Sequence, residues 1–431
     1  MSEILNAREN RGKHIESLMK EFEYMTIAVL KLNVVGEDKN PEFMKFICLL
    51  FDRLIKQEFG KKIVESKRQF SLDGDYIYYV INEEGTVVKE RTIEIEDNNY
   101  LGRLIDIDIY HKKSISRQDM SCEMRKCIIC DNYAHVCSRN KTHSREDVSN
   151  KVSELIEEHL TEIILSEVMK SIYEELDLFP KFGLVSHRDN GCHTDMDYEM
   201  FVRSTFTLKP FIKKFILFGI QGKTDSSELI KIGQEAEQAM FKVTNGVNTQ
   251  KGLIFVLGIF LPSLCKAIIS NQGPEFVKEE IIKTSNEVIG DYFERIEEKD
   301  DLTHGDKVYL EHSLKGIRGE ALLGFPLIFD IDDYDHIAEF FRPQEYLIEL
   351  MSKLDDTTIV HRKGIETLQR VKREMTQLIM GGGYMKNTRR YKELSDIYKN
   401  DGISPGGSSD LLALKLVYEH LKFLICTTCI Q

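Results

Sequence analysis

The chain has 431 residues, 42% of them hydrophobic and 30% charged, with a formal net charge of −13. That is the composition of a folded globular protein long enough for two cores, and it excludes a disordered or fibrous chain. The acidic balance, with no long Lys/Arg block, excludes a broad nucleic-acid-binding face and leaves small phosphorylated ligands as the anionic partners to look for.

The opening MSEILNARENRGKHIESL mixes charges and lacks the apolar core of a secretory signal; nine cysteines, an odd number, read as free thiols in a reducing cytoplasm. MTIAVLKLNVV (25–35) is β-branched and apolar, and FMKFICLLFDRLIKQEF has helical spacing. YIYYVINEEGTVVKERTIEI (76–95) reads as a hairpin around Glu83-Glu84-Gly85, and LIDIDIY (104–110) alternates as a strand does. These elements predict an N-terminal α/β (α+β) domain with a small mixed sheet.

Asp106 and Asp108 stand two residues apart on the last of those strands, so both carboxylates share one face. One reading is a Mg²⁺ pair for a phosphorylated substrate, with Asp119 of SISRQDM as a third ligand and Arg103 and Arg117 taking the remaining phosphate charge. The other is a strand that shows polar residues to water. RKCIICDNYAHVCSRNKTH follows, with Cys127, Cys130, Cys137 and His143. Three thiols and an imidazole match a tetrahedral structural zinc shell, although the gap between the pairs is shorter than in common fingers; partly buried free thiols are the alternative. A second C-x2-C, Cys426 and Cys429, reads as incidental.

The texture changes near Ser144. SREDVSNKVSELIEEHLTEIILSEVMKSIYEEL is a long amphipathic helix or helix pair opened by a Ser144 cap with Asp147 three residues on. Segments 208–220, 226–243, 252–271, 275–298, 336–353, 364–380 and 409–424 keep the helical period, which divides the chain into domains 1–148 and 149–431, the second all-α. GLIFVLGIFLPSLC is about 14 residues and holds Pro262, whereas a membrane span needs about 20, so it reads as a buried helix and no membrane partner is expected. Glycine-rich junctions recur beside charges at GLVSHRDNGCHTDMD, TNGVNTQKG, GIRGEALLGFP, MGGGY and SPGGSSDLLA. Glycines commonly end helices, but several such junctions in one domain point to a phosphate-rich ligand at helix starts.

NNYLGRLIDIDIY, SRQDM and RKCIICDNYAHVCSRNKTH together resemble the apo-citrate lyase phosphoribosyl-dephospho-CoA transferase family over the first ~150 residues. FPKFGLVSHRDNGCHTDMD, EQAMFKVTNGVNTQKGLIFVLG, GIRGEALLGFP and SPGGSSDLLA resemble the triphosphoribosyl-dephospho-CoA synthase family, in the same order. The resemblance implies a fusion of the two enzymes that make and attach the citrate lyase prosthetic group. Its helical domain would join ATP and 3′-dephospho-CoA into 2′-(5″-triphosphoribosyl)-3′-dephospho-CoA, releasing adenine. Its first domain would move that group to a serine of the citrate lyase acyl carrier (gamma) subunit, releasing pyrophosphate.

The resemblance also assigns residues. Breaking the N-glycosidic bond needs a base for the incoming 2′-hydroxyl, negative charge near a ribosyl cation and a proton for adenine. His193, Asp195 and Asp197 form an H-x-D-x-D set for base and metal-ligand roles, with Glu237 and Glu320 as further carboxylates. Lys251, Asn248, Arg318, Asp356, Arg362 and Ser404 fall to substrate and phosphate binding, with Gly406 and Gly407 as backbone donors and Asp410 behind them. The chain departs from the family pattern at Phe182, at Gln250 in place of a histidine, and at Lys363 in place of a glycine. That leaves the base to His193 or Asp195, and Gln250 as a hydrogen-bonding substitute. The same chemistry on a malonate decarboxylase carrier, and a non-catalytic zinc-bearing interaction protein, are the competing readings.

Overall fold

The computed structural model describes residues 2–34, 38–298, 301–331, 334 and 336–425; Cys426 and Cys429 lie outside them. The chain forms two compact units, one of residues 1–161 with 268–272 and 423–431, the other of 162–267 and 273–422.

The first unit runs α1 (Ser2–Glu21), β1 (Thr26–Leu32), α2 (Lys45–Phe59), β2 (Ile63–Gln69), β3 (Tyr76–Ile81), α3 (Gly85–Asp97), β4 (Ile105–His111), β5 (Lys113–Ile115) and α4 (Ala134–Asn140). Its five strands lie in the order β2-β3-β1-β4-β5, and every neighbouring pair is antiparallel, so the expected mixed sheet is corrected to an antiparallel one. Ile15 and Leu18 of α1 pack on one face with Ile27, Val29, Tyr76, Tyr78 and Val80. The alternate residues turn to the other face, where the Tyr79 hydroxyl donates to Asp52 of α2 at 2.7 Å. The expected hairpin at 76–95 is half right: 76–81 is a strand, but Gly85–Asp97 is a helix. Gly85, Val88, Lys89, Thr92, Ile93 and Glu96 are its buried positions, a stripe at spacings of three and four that packing selects over the β-branched composition.

In β4 the isoleucines at 105, 107 and 109 are buried and Asp106 and Asp108 are half-buried on the opposite face. Register fixes what they meet: Lys31 of β1 lies opposite Asp106, and Val29 opposite Asp108.

The 33-residue α5 (Arg145–Asp177) opens as the sequence predicts, with Ser144 and Asp147 exchanging side chain-to-backbone hydrogen bonds. The helical unit continues with α6 (Tyr198–Ile220), α7 (Ser226–Val243), α8 (Lys251–Ile269), α9 (Pro274–Ile289), α10 (His304–His312), α11 (Gly316–Leu322), α12 (Pro326–Phe329), α13 (Arg342–Lys353), α14 (Thr357–Lys363), α15 (Ile365–Met380), α16 (Gly383–Lys386), α17 (Thr388–Asp401) and α18 (Gly406–Leu421). Among the described residues only α8 is long and apolar enough to cross a membrane, and 78% of that stretch is buried inside the fold. Where α6 crosses it, a Cβ on Gly219 would stand 2.5 Å from the Pro262 carbonyl oxygen, so the close approach requires glycine.

Candidate functional site

In the first unit, charge gathers at the end of β4. Lys31 Nζ lies 2.9 Å from Asp108 Oδ2 and 3.4 Å from Asp106 Oδ2, so a cation already sits between the two carboxylates. Glu96 of α3 is nearly inaccessible; it accepts the Ile107 N–H at 3.0 Å and pairs with Arg117 at 2.6 Å and Arg125 at 2.5 Å. Arg117 also holds Asp97 at 2.7 Å, so this expected phosphate clamp is committed to two acids. Arg103 is different. It is half-buried and has no carboxylate partner among the described residues, and its pKa is pushed down by burial and by the neighbouring Arg125 and Arg117. Asp119 closes its own turn, accepting from the Ser116 N–H at 2.8 Å and hydroxyl at 2.6 Å. Lys31, Glu96 and Arg125 were not singled out with this pair from sequence, because only strand pairing and the α3 helix bring them to β4.

The cysteine segment closes on itself. Cys127 Sγ, Cys130 Sγ, Cys137 Sγ and a His143 ring nitrogen all lie within 4.8 Å of one another. Cys130 Sγ is 3.5 Å from Cys137 Sγ and 3.3 Å from His143 Nε2. Zinc–sulfur bonds of about 2.3 Å place sulfurs about 3.7 Å apart at tetrahedral corners, so the donor set fits zinc in identity and size. Burial raises the Cys127 pKa, but the Ile129 and Cys130 N–H groups and hydrogen bonding with Cys137 and Cys130 outweigh it and bring the thiol down to about 7.

The helical unit holds a cavity of about 850 Å³ to which α5, α7, α8, α10, α11, α14 and α18 all contribute. On one wall, Glu175 pairs with Lys181 at 2.7 Å and accepts the Ser409 hydroxyl. Asp356, 1% exposed, caps α14 through the Thr358 N–H and also accepts from the Gly407 N–H at 3.3 Å and the Ser408 N–H and hydroxyl at 2.8 and 2.9 Å. Its pKa is raised because burial outweighs these donors. Gly406 and Gly407 do line the cavity, but the Gly407 donor expected for phosphate is occupied by this carboxylate. Asp410 completes the acidic wall.

The lining also carries guanidinium groups and histidines. α14 carries His361 and Arg362 about 8 Å along the helix from Asp356. His361 stacks on His304 with centroids 3.7 Å apart, and its pKa is lowered by burial, His304, Lys307 and Arg362. The Arg318 guanidinium lies 4.5 Å over the Tyr292 ring and has no carboxylate partner among the described residues. His193 Nδ1 is 3.2 Å from Arg362 Nη2 and its Nε2 is 2.9 Å from Ser404 Oγ. Guanidinium only donates, so Nδ1 accepts and Nε2 carries the proton. Burial and Arg362 lower the His193 pKa against Asp195, 3.7 Å away, so the ring is neutral at pH 7.

Other expected residues have different work. Asp197 caps α6 through the Met200 N–H at 2.8 Å and is absent from the cavity lining, as is Glu320, whose Oε2 is buried without a hydrogen-bond partner among the described residues. Glu237 and Lys251 line the cavity but pair with each other at 2.8 Å, and Asn248 accepts the Lys251 N–H. Gln250 also lines the cavity but is 5% exposed, its amide bonded to Ser204 and Thr205 at 2.8 Å each. Glu175, His304 and His361 escaped sequence reasoning because nothing in IYEELD or LTHGD marks a ligand-facing side.

A family model described as ATP:dephospho-CoA triphosphoribosyl transferase matches residues 164–425, and one described as apo-citrate lyase phosphoribosyl-dephospho-CoA transferase matches residues 1–159. The chain is similar to Protein CitXG of Haemophilus influenzae, 28% identical over 96% of this chain and 95% of that one. It is 25% identical to Protein CitXG of Leuconostoc mesenteroides subsp. cremoris over 98% and 97% of the two chains. It is also 31% identical to the 2-(5''-triphosphoribosyl)-3'-dephosphocoenzyme-A synthase of Haemophilus ducreyi, over 69% of this chain and all of that one, 100%.

Proposed function

We propose a division of labour among the residues of a chain that belongs to the ATP:dephospho-CoA triphosphoribosyl transferase family and carries, ahead of that domain, an apo-citrate lyase phosphoribosyl-dephospho-CoA transferase domain. It is a bifunctional transferase of citrate lyase maturation. The helical unit makes 2′-(5″-triphosphoribosyl)-3′-dephospho-CoA from ATP and 3′-dephospho-CoA with release of adenine, and the sheet-bearing unit transfers that group to a carrier protein with release of pyrophosphate.

The observation that carries the residue reading is the set of carboxylates, guanidinium groups and a neutral histidine that line one 850 Å³ cavity. A triphosphate is repelled by Glu175 and Asp356 and attracted by Arg318 and Arg362, which orients ATP with its ribose towards the carboxylates. Negative charge there stabilises a ribosyl cation as the glycosidic bond breaks. When Arg362 turns to the triphosphate it releases His193 Nδ1, the lone pair that takes the 2′-hydroxyl proton, and Asp195 then faces the imidazolium.

In the sheet-bearing unit, Asp106 and Asp108 would hold Mg²⁺ in the place now taken by the Lys31 ammonium, and a bound ion supplies charge neutralisation on pyrophosphate. Arg103 binds the phosphates, while Glu96 fixes Arg117 and Arg125 around it. The Cys127, Cys130, Cys137 and His143 set holds a structural zinc. The acceptor is the citrate lyase acyl carrier subunit, and a cytoplasmic setting agrees with the free thiols of Cys48 and Cys265.

The test is incubation with ATP, Mg²⁺ and dephospho-CoA, followed by chromatography for adenine. Adenine is expected, and none above a no-enzyme control sinks the synthase reading. Apo carrier subunit added next should gain the mass of the prosthetic group with release of pyrophosphate, and an apo malonate decarboxylase carrier serves as the control acceptor.

A further inference from the structure

Three acids form the cavity's acidic wall, and two of them are accounted for. Glu175 has the Lys181 ammonium, and Asp356 has three N–H groups and a hydroxyl. Among the described residues Asp410, at the start of the second turn of α18, has neither. It lies deep in the helical unit yet opens onto the cavity; the charged groups that face it are the carboxylates of Glu175 and Asp356, and it accepts one backbone N–H, from Leu253. The fold makes room for it: a Cβ on Gly252 would stand 1.9 Å from Asp410 Oδ2, so the first turn of α8 passes the carboxyl only as glycine.

We propose that Asp410 is the general acid of the helical unit, delivering its proton to the adenine base as the glycosidic bond of ATP breaks. This rests on the reading that the cavity makes triphosphoribosyl-dephospho-CoA. Burial, Glu175 and Asp356 push the Asp410 pKa well above the ordinary carboxylate range, which favours the protonated carboxyl. A third anion would be redundant beside Glu175 and Asp356, whereas the reaction lacks a proton for its leaving group. As the C1′–N9 bond breaks, its electron pair stays on the base, the Asp410 proton moves to a ring nitrogen of adenine, and Asp410 is left as carboxylate. The 2′-oxygen of dephospho-CoA forms the new bond to C1′ and gives up its proton to His193 Nδ1, and proton exchange with solvent after adenine leaves restores both the acid and the base.

The experiment compares ATP with N7-methyl-ATP, whose cationic base departs without protonation, in wild type and Asp410→Asn. With ATP the variant should release base about 10²- to 10⁴-fold more slowly, the usual weight of a positioned proton donor, and with N7-methyl-ATP less than about tenfold more slowly. Equal losses on both substrates, or no loss on ATP, overturn the proposal. Wild type alone gives a second check: its rate with ATP should fall at high pH as Asp410 ionises, and that limb should vanish with N7-methyl-ATP; an identical limb on both also overturns it. Wild type that releases no adenine at all overturns the reading of the site instead.

Stability supplies a readout apart from activity. The unfolded chain ionises Asp410 in the ordinary range and the folded chain does so at higher pH. The folded state therefore binds the extra proton in that window, and stability is lost as pH rises through it. Asp410→Asn removes that loss, so at pH 7 the variant should unfold at higher temperature than wild type, with the difference disappearing below about pH 4. An Asn variant less stable at pH 7 shows a carboxylate held for structure and overturns the assignment.

Discussion

Arg103 and Arg117 are neighbouring guanidinium groups with opposite prospects. Arg117 is bound to Glu96 and Asp97, and removing it leaves the nearly inaccessible Glu96 carboxylate short of one cation. Arg103 has no acid of its own among the described residues, and its positive neighbours disfavour it until an anion arrives. A half-buried guanidinium without a counter-ion stabilises phosphate with little to give up. Arg103→Ala should therefore slow transfer to the carrier about 10- to 100-fold, the weight of one or two charge-assisted hydrogen bonds, without lowering the thermal midpoint or adenine release. Arg117→Ala should lower the midpoint. A transfer assay with purified intermediate, beside thermal melts, separates the two; unchanged transfer by Arg103→Ala removes it from the site. The sequence marked both arginines alike, since R-L-I-D-I-D and S-R-Q-D carry no record of which acids pair with which cation.

Elements explain why some of the site was legible and some was not. The alternation in LIDIDIY put Asp106 and Asp108 on one face, and β4 keeps them there because its isoleucines fill the other. The helical half followed from its period, and the Ser144 cap from its spacing. GTVVKERTIEI misled because β-branched residues satisfy a strand as readily as a helix, and only burial of Val88, Thr92 and Glu96 on one helical stripe decides. The cysteine element was visible as a ligand set, and the fold adds its consequence: Arg125, two residues before Cys127, reaches back to Glu96 and to the Ile105 carbonyl at 2.8 Å. A metal that closes the loop therefore holds an arginine beside β4. Purified protein should contain about one zinc per chain. Its removal by a chelator, or Cys130→Ser, should cut carrier transfer more than about tenfold while adenine release persists, because no residue of the 850 Å³ cavity belongs to this segment. Zinc near zero by elemental analysis would return the four side chains to the status of thiols and a histidine.

Across the whole chain, two reactions share one polypeptide and one scarce product, 2′-(5″-triphosphoribosyl)-3′-dephospho-CoA. Covalent linkage fixes the two sites in equal amounts, and a released product gains from it only where it is retained on the chain. Retention by linkage and free diffusion differ in one measurable respect, the lag before carrier is modified. Mixing a full-length Asp410→Asn chain with a full-length Arg103→Ala chain leaves one intact site of each kind on separate molecules. Such a mixture should still modify the carrier, because the intermediate is a soluble nucleotide, and its lag should lengthen as total enzyme is diluted. Wild type at the same site concentrations should show a shorter lag that is insensitive to dilution. Equal lags at every dilution would mean that the fusion secures equal amounts of two enzymes and confers no kinetic advantage on their shared intermediate.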